Sequence, residues 1–526
     1  MNRLDRWTLC ALAALSVAAS GCKCSGSGAA DGGGPTDAGQ AAMHPADVLM
    51  HRKNLTRDGV YVDPAMTQAA IAHMHVDTSF NATTTSNTYS QVLFMENGPD
   101  GGDALFVATE QNDVFALDAQ TGKQLWTTNV GAPAAKSQFC GGSIDPYGIS
   151  GTPAIDPDAR VIYFNAMLAT GKSGNPTNTL FALALDTGKE RWRIDVDSTV
   201  AGFDSSIQNE RSAVLLFSGR LYFVYSGLDG DCGPYKGWVL GVSTTNPTDI
   251  LSWHTNAPSG SGIWGPSGPA SDGTSLFVAT TNTNSPFPTT WDAGHSEAVI
   301  RLSPDLQFAE SAANFFTQDA GTANNGQDWY YNDTHDLDLG SSGVVLFDAP
   351  GATPSELAFA VGKTQYCYLL DRNNLGGIGM GLSSVVPHTE SQVFGSLLAY
   401  NTAKPATYVS GHFNVSGTSF CTDGNADLTV LEVTHANPPQ LRFGWCAASG
   451  GDAAPIVSTT DGLNQAVLWT YGASGDETVR AYDADTGTLL YTSPGLSGST
   501  HWISPVIAKG RFYVGQNGTI TALTVH

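Results

Sequence analysis

The phrase "VFALDAQTGKQLWTTNV" at residues 114–130 returns as "LFALALDTGKERWRIDV" at 180–196 and "VRAYDADTGTLLYTSPG" at 479–495. Each reads as an apolar strand, a polar turn and a second strand that carries an aromatic. Asp118 can accept from its own turn backbone, and Gly122 tolerates the positive φ that closes the turn. Trp126, Trp192 and Tyr491 hold the same place on the second strand, where they can cap a seam to the next unit. A unit of this size cannot bury its apolar faces alone. A chain that repeats it must stack the copies.

The whole unit is longer than the phrase. A lead-in of small residues is followed by an apolar strand, a Gly/Asp turn, a second strand and then the phrase itself. "GISGTPAIDPDARVIYFNAM" and "GIWGPSGPASDGTSLFVATTN" show the first half. The apolar runs are short, β-branched and aromatic, and bounded by turn residues. Units start near Tyr89, Gly148, Asn209, Ile263, Leu337, Val393, Gly451 and Trp502. The predicted fold is therefore all-β, an eight-bladed β-propeller of four-stranded antiparallel blades. The last unit supplies three strands before the chain stops at His526. Its outermost strand is expected from "AAIAHMHVDTSF", residues 69–80, which would close the ring and hide its sheet edges.

The 24 basic and 48 acidic residues leave a net charge of −24. Nucleic-acid binding needs a basic stripe, and anionic lipid repels such a surface, so both are excluded for the folded body. "MNRLDRWTLCALAALSVAASGC" joins a basic start to a short apolar run and a small-residue site ahead of Cys22. This reads as a secretory signal over residues 1–21, too short to span a membrane. "AASGC" resembles a bacterial lipobox, with Ala19 in place of the usual Leu. It implies lipidation of Cys22, and Lys23 after it points to the outer membrane. Residues 22–55 read as a flexible Gly/Ala/Ser tether and 56–526 as the single propeller. Export permits disulfides. Loop positions suggest the pairs Cys140–Cys232 and Cys421–Cys446, leaving Cys367, within "YCYLLD", as a buried thiol.

The repeated phrases resemble the "A-x-D-x-x-T-G-x-x-x-W" repeat of pyrroloquinoline quinone (PQQ) proteins. "GDCGPYKGWVLG", "GIWGPSGPASDG", "DLGSSGVVLF" and "KTQYCYLLDRNNLGG" are similar to the quinoprotein alcohol dehydrogenase-like superfamily. That resemblance implies a site at the propeller mouth for PQQ and Ca²⁺. Trp264 would be the floor beneath the quinone, and Lys363 the basic residue beside it. Asn282 matches a metal ligand, and Asp231 is the carboxylate nearest to a second one. Asp336 or Asp338 would be the catalytic base. The adjacent cysteine pair that forms the family's lid is absent from the sequence.

Each of these residues also has a plain structural role open to it as a seam aromatic, a turn cap or a solvated turn residue. The leading expectation is a lipid-anchored, non-catalytic binding or scaffold propeller of the cell envelope. It would be a monomer that meets envelope proteins or a small molecule at its mouth. The alternatives are a divergent PQQ/Ca²⁺ dehydrogenase acting on an alcohol or sugar, and a scaffold resembling the propeller lipoprotein of outer-membrane protein assembly.

Overall fold

The computed structural model describes residues 44–286, 290–318, 328–364, 366–379, 381–385, 393–413, 421, 426–496 and 498–526. Cys22 and the signal lie outside the described residues.

Eight separate sheets, each built on antiparallel blade strands, follow one another along the chain, and two of them gain an extra strand in parallel pairing, Val60–Val62 and Gly377–Gly379. Their first strands are Leu93–Met95, Ala154–Asp156, Leu215–Phe217, Ala270–Ser271, Val344–Asp348, Leu398–Thr402, Ile456–Thr459 and Val506–Ala508. We number the blades 1 to 8 in that order. Blade 8 is completed as the sequence predicts: its last strand, Thr519–Thr524, pairs with His75–Val76 and Ala82–Thr83. The N-terminal strands thus close the ring and leave no open edge at the junction.

The repeated phrase is the third strand, turn and fourth strand of a blade. In blade 1 these strands are Asp113–Asp118 and Gln124–Asn129. The Asp118 carboxylate accepts from the Gln120 N–H at 3.1 Å and the Thr121 N–H at 2.7 Å. Gly122 takes φ +74°, and a Cβ there would lie 2.6 Å from the Asn81 backbone, so the repeat needs glycine for two reasons. The indole N–H of Trp126 donates to the Leu185 carbonyl of blade 2 at 2.8 Å. Trp445 of blade 6 makes the same latch to Ala484 of blade 7 at 3.0 Å. The aromatic on the outer strand therefore pins one blade to the turn of the next.

Residues 44–55, read as tether from their composition, belong to the propeller. Val48, Leu49 and Met50 are buried, and together residues 48–63 form a belt against the first strands of all eight blades. Val48 pairs with Phe94 of blade 1, and the Leu49 carbonyl accepts from Ile155 of blade 2. Arg57 donates to Val214 of blade 3. The carbonyls of Leu55, Thr56, Asp58 and Gly59 accept from Ser271, Leu346, Ala399 and Val457 of blades 4 to 7. The Asp63 carboxylate accepts from Gly510 of blade 8. A stretch of three apolar residues beside a Gly/Ala tract carries no strand period, which hides the belt from a pattern reading.

Both expected disulfides form, Cys140–Cys232 and Cys421–Cys446. Cys367 is buried as a thiol in the second-to-third strand pairing of blade 5, and burial pushes its pKa up.

Candidate functional site

In every blade the segment before the first strand and the segment after the second strand lie at the same end of the propeller, because the two strands are antiparallel. A cavity of about 370 Å³ opens there, walled by blades 3, 4, 5, 6 and 8. All six residues singled out from the sequence, Asp231, Trp264, Asn282, Asp336, Asp338 and Lys363, line it.

Trp264, half-buried ahead of the first strand of blade 4, forms an aromatic wall with Phe394 of blade 6 and Trp502 of blade 8. Its ring centroid lies 5.9 Å from that of Phe394 and 6.3 Å from that of Trp502. Two cations face this wall. The Arg211 guanidinium lies 4.8 Å over the Trp264 ring, and the Lys363 ammonium 5.8 Å from it.

Lys363 is held at the turn after the second strand of blade 5. Its ammonium donates to Asp336 at 2.9 Å and to Asp338 at 2.8 Å. Burial alone would depress the lysine pKa, but the two aspartates carry it above its ordinary value. Asp338 is buried, and the cost of desolvation outweighs Lys363 and raises its carboxyl pKa. The other Asp338 oxygen accepts from the Asn282 backbone N–H at 2.9 Å. Asp336 is exposed and in the left-handed region at φ +54°, where it ends the helix Trp329–His335. Asp338 is thus the aspartate built into the site, and Asp336 is its rim.

Asp231 sits on the opposite wall in the loop after the second strand of blade 3, and takes the phenolic hydrogen of Tyr235 at 2.6 Å. The Cys140–Cys232 disulfide ties this loop to the lead-in of blade 2, where the Gly142 N–H donates to the Asp229 carbonyl at 2.6 Å. The bond braces a wall of the cavity.

Behind Asp338 lie two more buried carboxyls. Glu297 accepts from the Leu339 N–H at 2.8 Å, and its other oxygen has no hydrogen-bond partner among the described residues. Burial, then the neighbouring Asp338 and Asp333, drive the Glu297 pKa well above the usual range. Asp333 is raised to about 7, chiefly by burial.

The donor set suits an anionic aromatic group: Trp264 and Phe394 offer flat faces, and Arg211 and Lys363 offer charge. It suits calcium poorly. Ca²⁺ takes six to eight oxygens. Asp338 is already engaged by Lys363 and the Asn282 N–H, and Asp231 by Tyr235. The Asn282 carboxamide and the second Asp231 oxygen are a small part of such a shell, and Lys363 already places a positive charge beside Asp338.

Arg211, Phe394 and Trp502 escaped the sequence reading. They stand in the lead-ins of blades 3, 6 and 8, as Trp264 does in blade 4. For Phe394 and Trp502 the available signal was a large side chain next to small residues; Arg211, within "QNERSA", offered none.

A family model described as "Outer membrane protein assembly factor BamB" matches residues 92–226. No curated protein matches the sequence. Among solved structures, the fold is similar to the quinohemoprotein alcohol dehydrogenase of Comamonas testosteroni, with a TM-score of 0.62 at 14% identity over 91% of this chain and 80% of that one. It is also similar to quinohemoprotein alcohol dehydrogenase ADHIIG of Pseudomonas putida HK5, with a TM-score of 0.63 at 12% identity over the same shares, 91% and 80%. A europium-containing methanol dehydrogenase gives a TM-score of 0.62 at 15% identity over 90% of this chain and 91% of that one. At these identities the likeness is one of fold, an eight-bladed β-propeller.

Proposed function

We propose that this chain is an extracytoplasmic propeller that binds a flat, anionic aromatic ligand of the PQQ class in its axial cavity, as a binding protein and not as an alcohol oxidase. The observation that carries this reading is the convergence of Trp264, Asn282, Lys363, Asp338 and Asp231, drawn from three blades, on one cavity. Two disulfides support a location outside the reducing cytoplasm. A lipid on Cys22 would add attachment to the envelope membrane, with the cavity able to serve a small molecule or a protein docked at the mouth.

Trp264 and Phe394 would hold the ligand by stacking, with Lys363 and Arg211 neutralising its charge. A bound quinone would itself supply two-electron acceptor chemistry. The second reading, an oxidoreductase, rests on the Asp338–Lys363 pair. Desolvation raises the affinity of Asp338 for a proton, as a general base needs, and Lys363 keeps the carboxylate oriented.

Titration of the purified protein with PQQ, with and without Ca²⁺, separates these readings. Quenching of tryptophan fluorescence is expected without added metal. Trp264→Ala should weaken it at least tenfold, which is ~1.4 kcal/mol. Absence of binding to the folded protein would refute both readings. Alcohol-dependent dye reduction that needs PQQ and is lost in Asp338→Asn would establish the second over the first.

A further inference from the structure

Arg211 stands in the wall between two spaces. On one side is the main cavity. On the other is a compartment of about 30 Å³, whose walls include Tyr89, Ser150, His501 and Trp502. A water needs about 10–15 Å³ of such space, so the compartment has room for one small polar group. The half-buried Arg211 side chain lines both spaces.

Among the described residues, no hydrogen bond or ion pair reaches the Arg211 guanidinium. Other arginines of the interior are engaged. Arg52 donates to Pro455, Arg57 to three carbonyls, and Arg301 to Asn314 and the Arg372 carbonyl. What holds Arg211 is the aromatic wall, at 4.8 Å from the Trp264 ring centre and 5.8 Å from that of Trp502. Stacking uses the faces of a guanidinium and leaves the N–H edges open for a planar, two-oxygen acceptor. Burial costs this cation its hydration and lowers its pKa, while Asp229 and Asp338, beyond ion-pair distance, offset part of that. An unpaired guanidinium in a chain of net charge −24 marks a place where an anion arrives from outside.

The remaining polar groups of the compartment suit the same guest. Tyr89 and Ser150 bring hydroxyls, and His501 a ring whose pKa is lowered by burial and by Arg211. Glu110, which lies behind Ser150, would oppose an anion if ionised, but burial raises its pKa to about 7. In mildly acidic solution it carries little charge.

We infer that the side compartment is a carboxylate subsite. The cavity's ligand is an aromatic acid whose ring lies against Trp264 and Phe394 and whose carboxylate enters between Arg211, Tyr89 and His501. This rests on the ligand-binding reading above and adds to it the functional group that is recognised and the residue that recognises it.

The test uses 2-naphthoate and the uncharged 2-naphthalenemethanol at pH 6, by calorimetry and tryptophan fluorescence. Naphthoate is expected to bind at least tenfold more tightly than the alcohol. Arg211→Gln should bring the ratio of the two affinities to about one, and Arg211→Lys should keep part of the preference. Equal binding of the two probes by the native protein would overturn the subsite even if the glutamine variant failed to fold, as would a preference that survives Arg211→Gln. PQQ binding with no carboxylate preference would sink the subsite alone. Absence of PQQ binding would sink the binding reading, whatever the two probes do.

Discussion

Stability should fall steadily as the pH rises from 6.5 to 8.5, although the chain is strongly acidic. The cause is a set of buried carboxyls. Glu210 and Glu297 are driven well above the ordinary glutamate range by burial, and then by Glu110 and by Asp338 and Asp333 respectively. Among the described residues both Glu210 oxygens have no hydrogen-bond partner, and Glu297 has only the Leu339 N–H on one of its two oxygens, so the fold solvates either anion poorly. A raised folded pKa means that the native state holds protons which the unfolded chain releases. Its stabilising contribution is complete below the unfolded pKa and is lost as the pH climbs toward the folded one. A carboxyl that stays protonated in the native state while the unfolded chain has released its proton lowers stability by about 1.4 kcal/mol per pH unit. Glu110 and Asp333, each at about 7, add to the loss in its lower half. The buried His51 works in the opposite direction only below its ordinary pKa, which is why the window starts at 6.5. Urea denaturation at three pH values measures the slope. Glu210→Gln should flatten it and raise stability at pH 8.5. A stability that is flat or rising across the window would show that these carboxyls are hydrated and ionised.

Arg57→Met should cost about 3–5 kcal/mol with the native spectrum retained. The Arg57 guanidinium is 1% exposed and donates to the carbonyls of His51 at 2.7 Å, Pro269 at 3.0 Å and Val214 at 3.1 Å. Among the described residues no carboxylate pairs with it, and burial, then the neighbouring Arg52, pulls its pKa down to about 9. Methionine keeps most of the volume but leaves three buried acceptors without a donor. The loss falls on the belt, blade 3 and blade 4 together. A denaturant midpoint that shifts by less than about 1 kcal/mol in stability would mean that water replaces the guanidinium.

The blades were legible because their signal is local and repeated: Asp118 and Gly122 act within one turn, and Trp126 reaches only to the neighbouring blade. The closing strand was legible because blade 8 is visibly one strand short. The six cavity residues were legible through resemblance, since motif position carries a residue's place around the axis. Arg211 and Trp502 were not, because no pattern within a single blade says that their lead-ins meet across the axis. Glu297 was hidden for a related reason. It looks like an ordinary residue at the start of the third strand of blade 4 until Leu339, from blade 5, is seen on its carboxylate.

The belt at residues 48–63 imposes an order on assembly. These residues are among the first of the propeller to be synthesised, yet their partners are spread along the chain as far as Gly510. Leu49 can meet Ile155 early, but Asp63 has nothing to accept from until the last blade exists. Contacts of such long sequence separation form slowly, and each partial ring exposes apolar strand edges while it waits. The segment that leaves the ribosome ahead of every blade is fully seated only after the last of them, so a chain truncated anywhere before blade 8 should accumulate as an open, protease-sensitive chain and not as a smaller propeller.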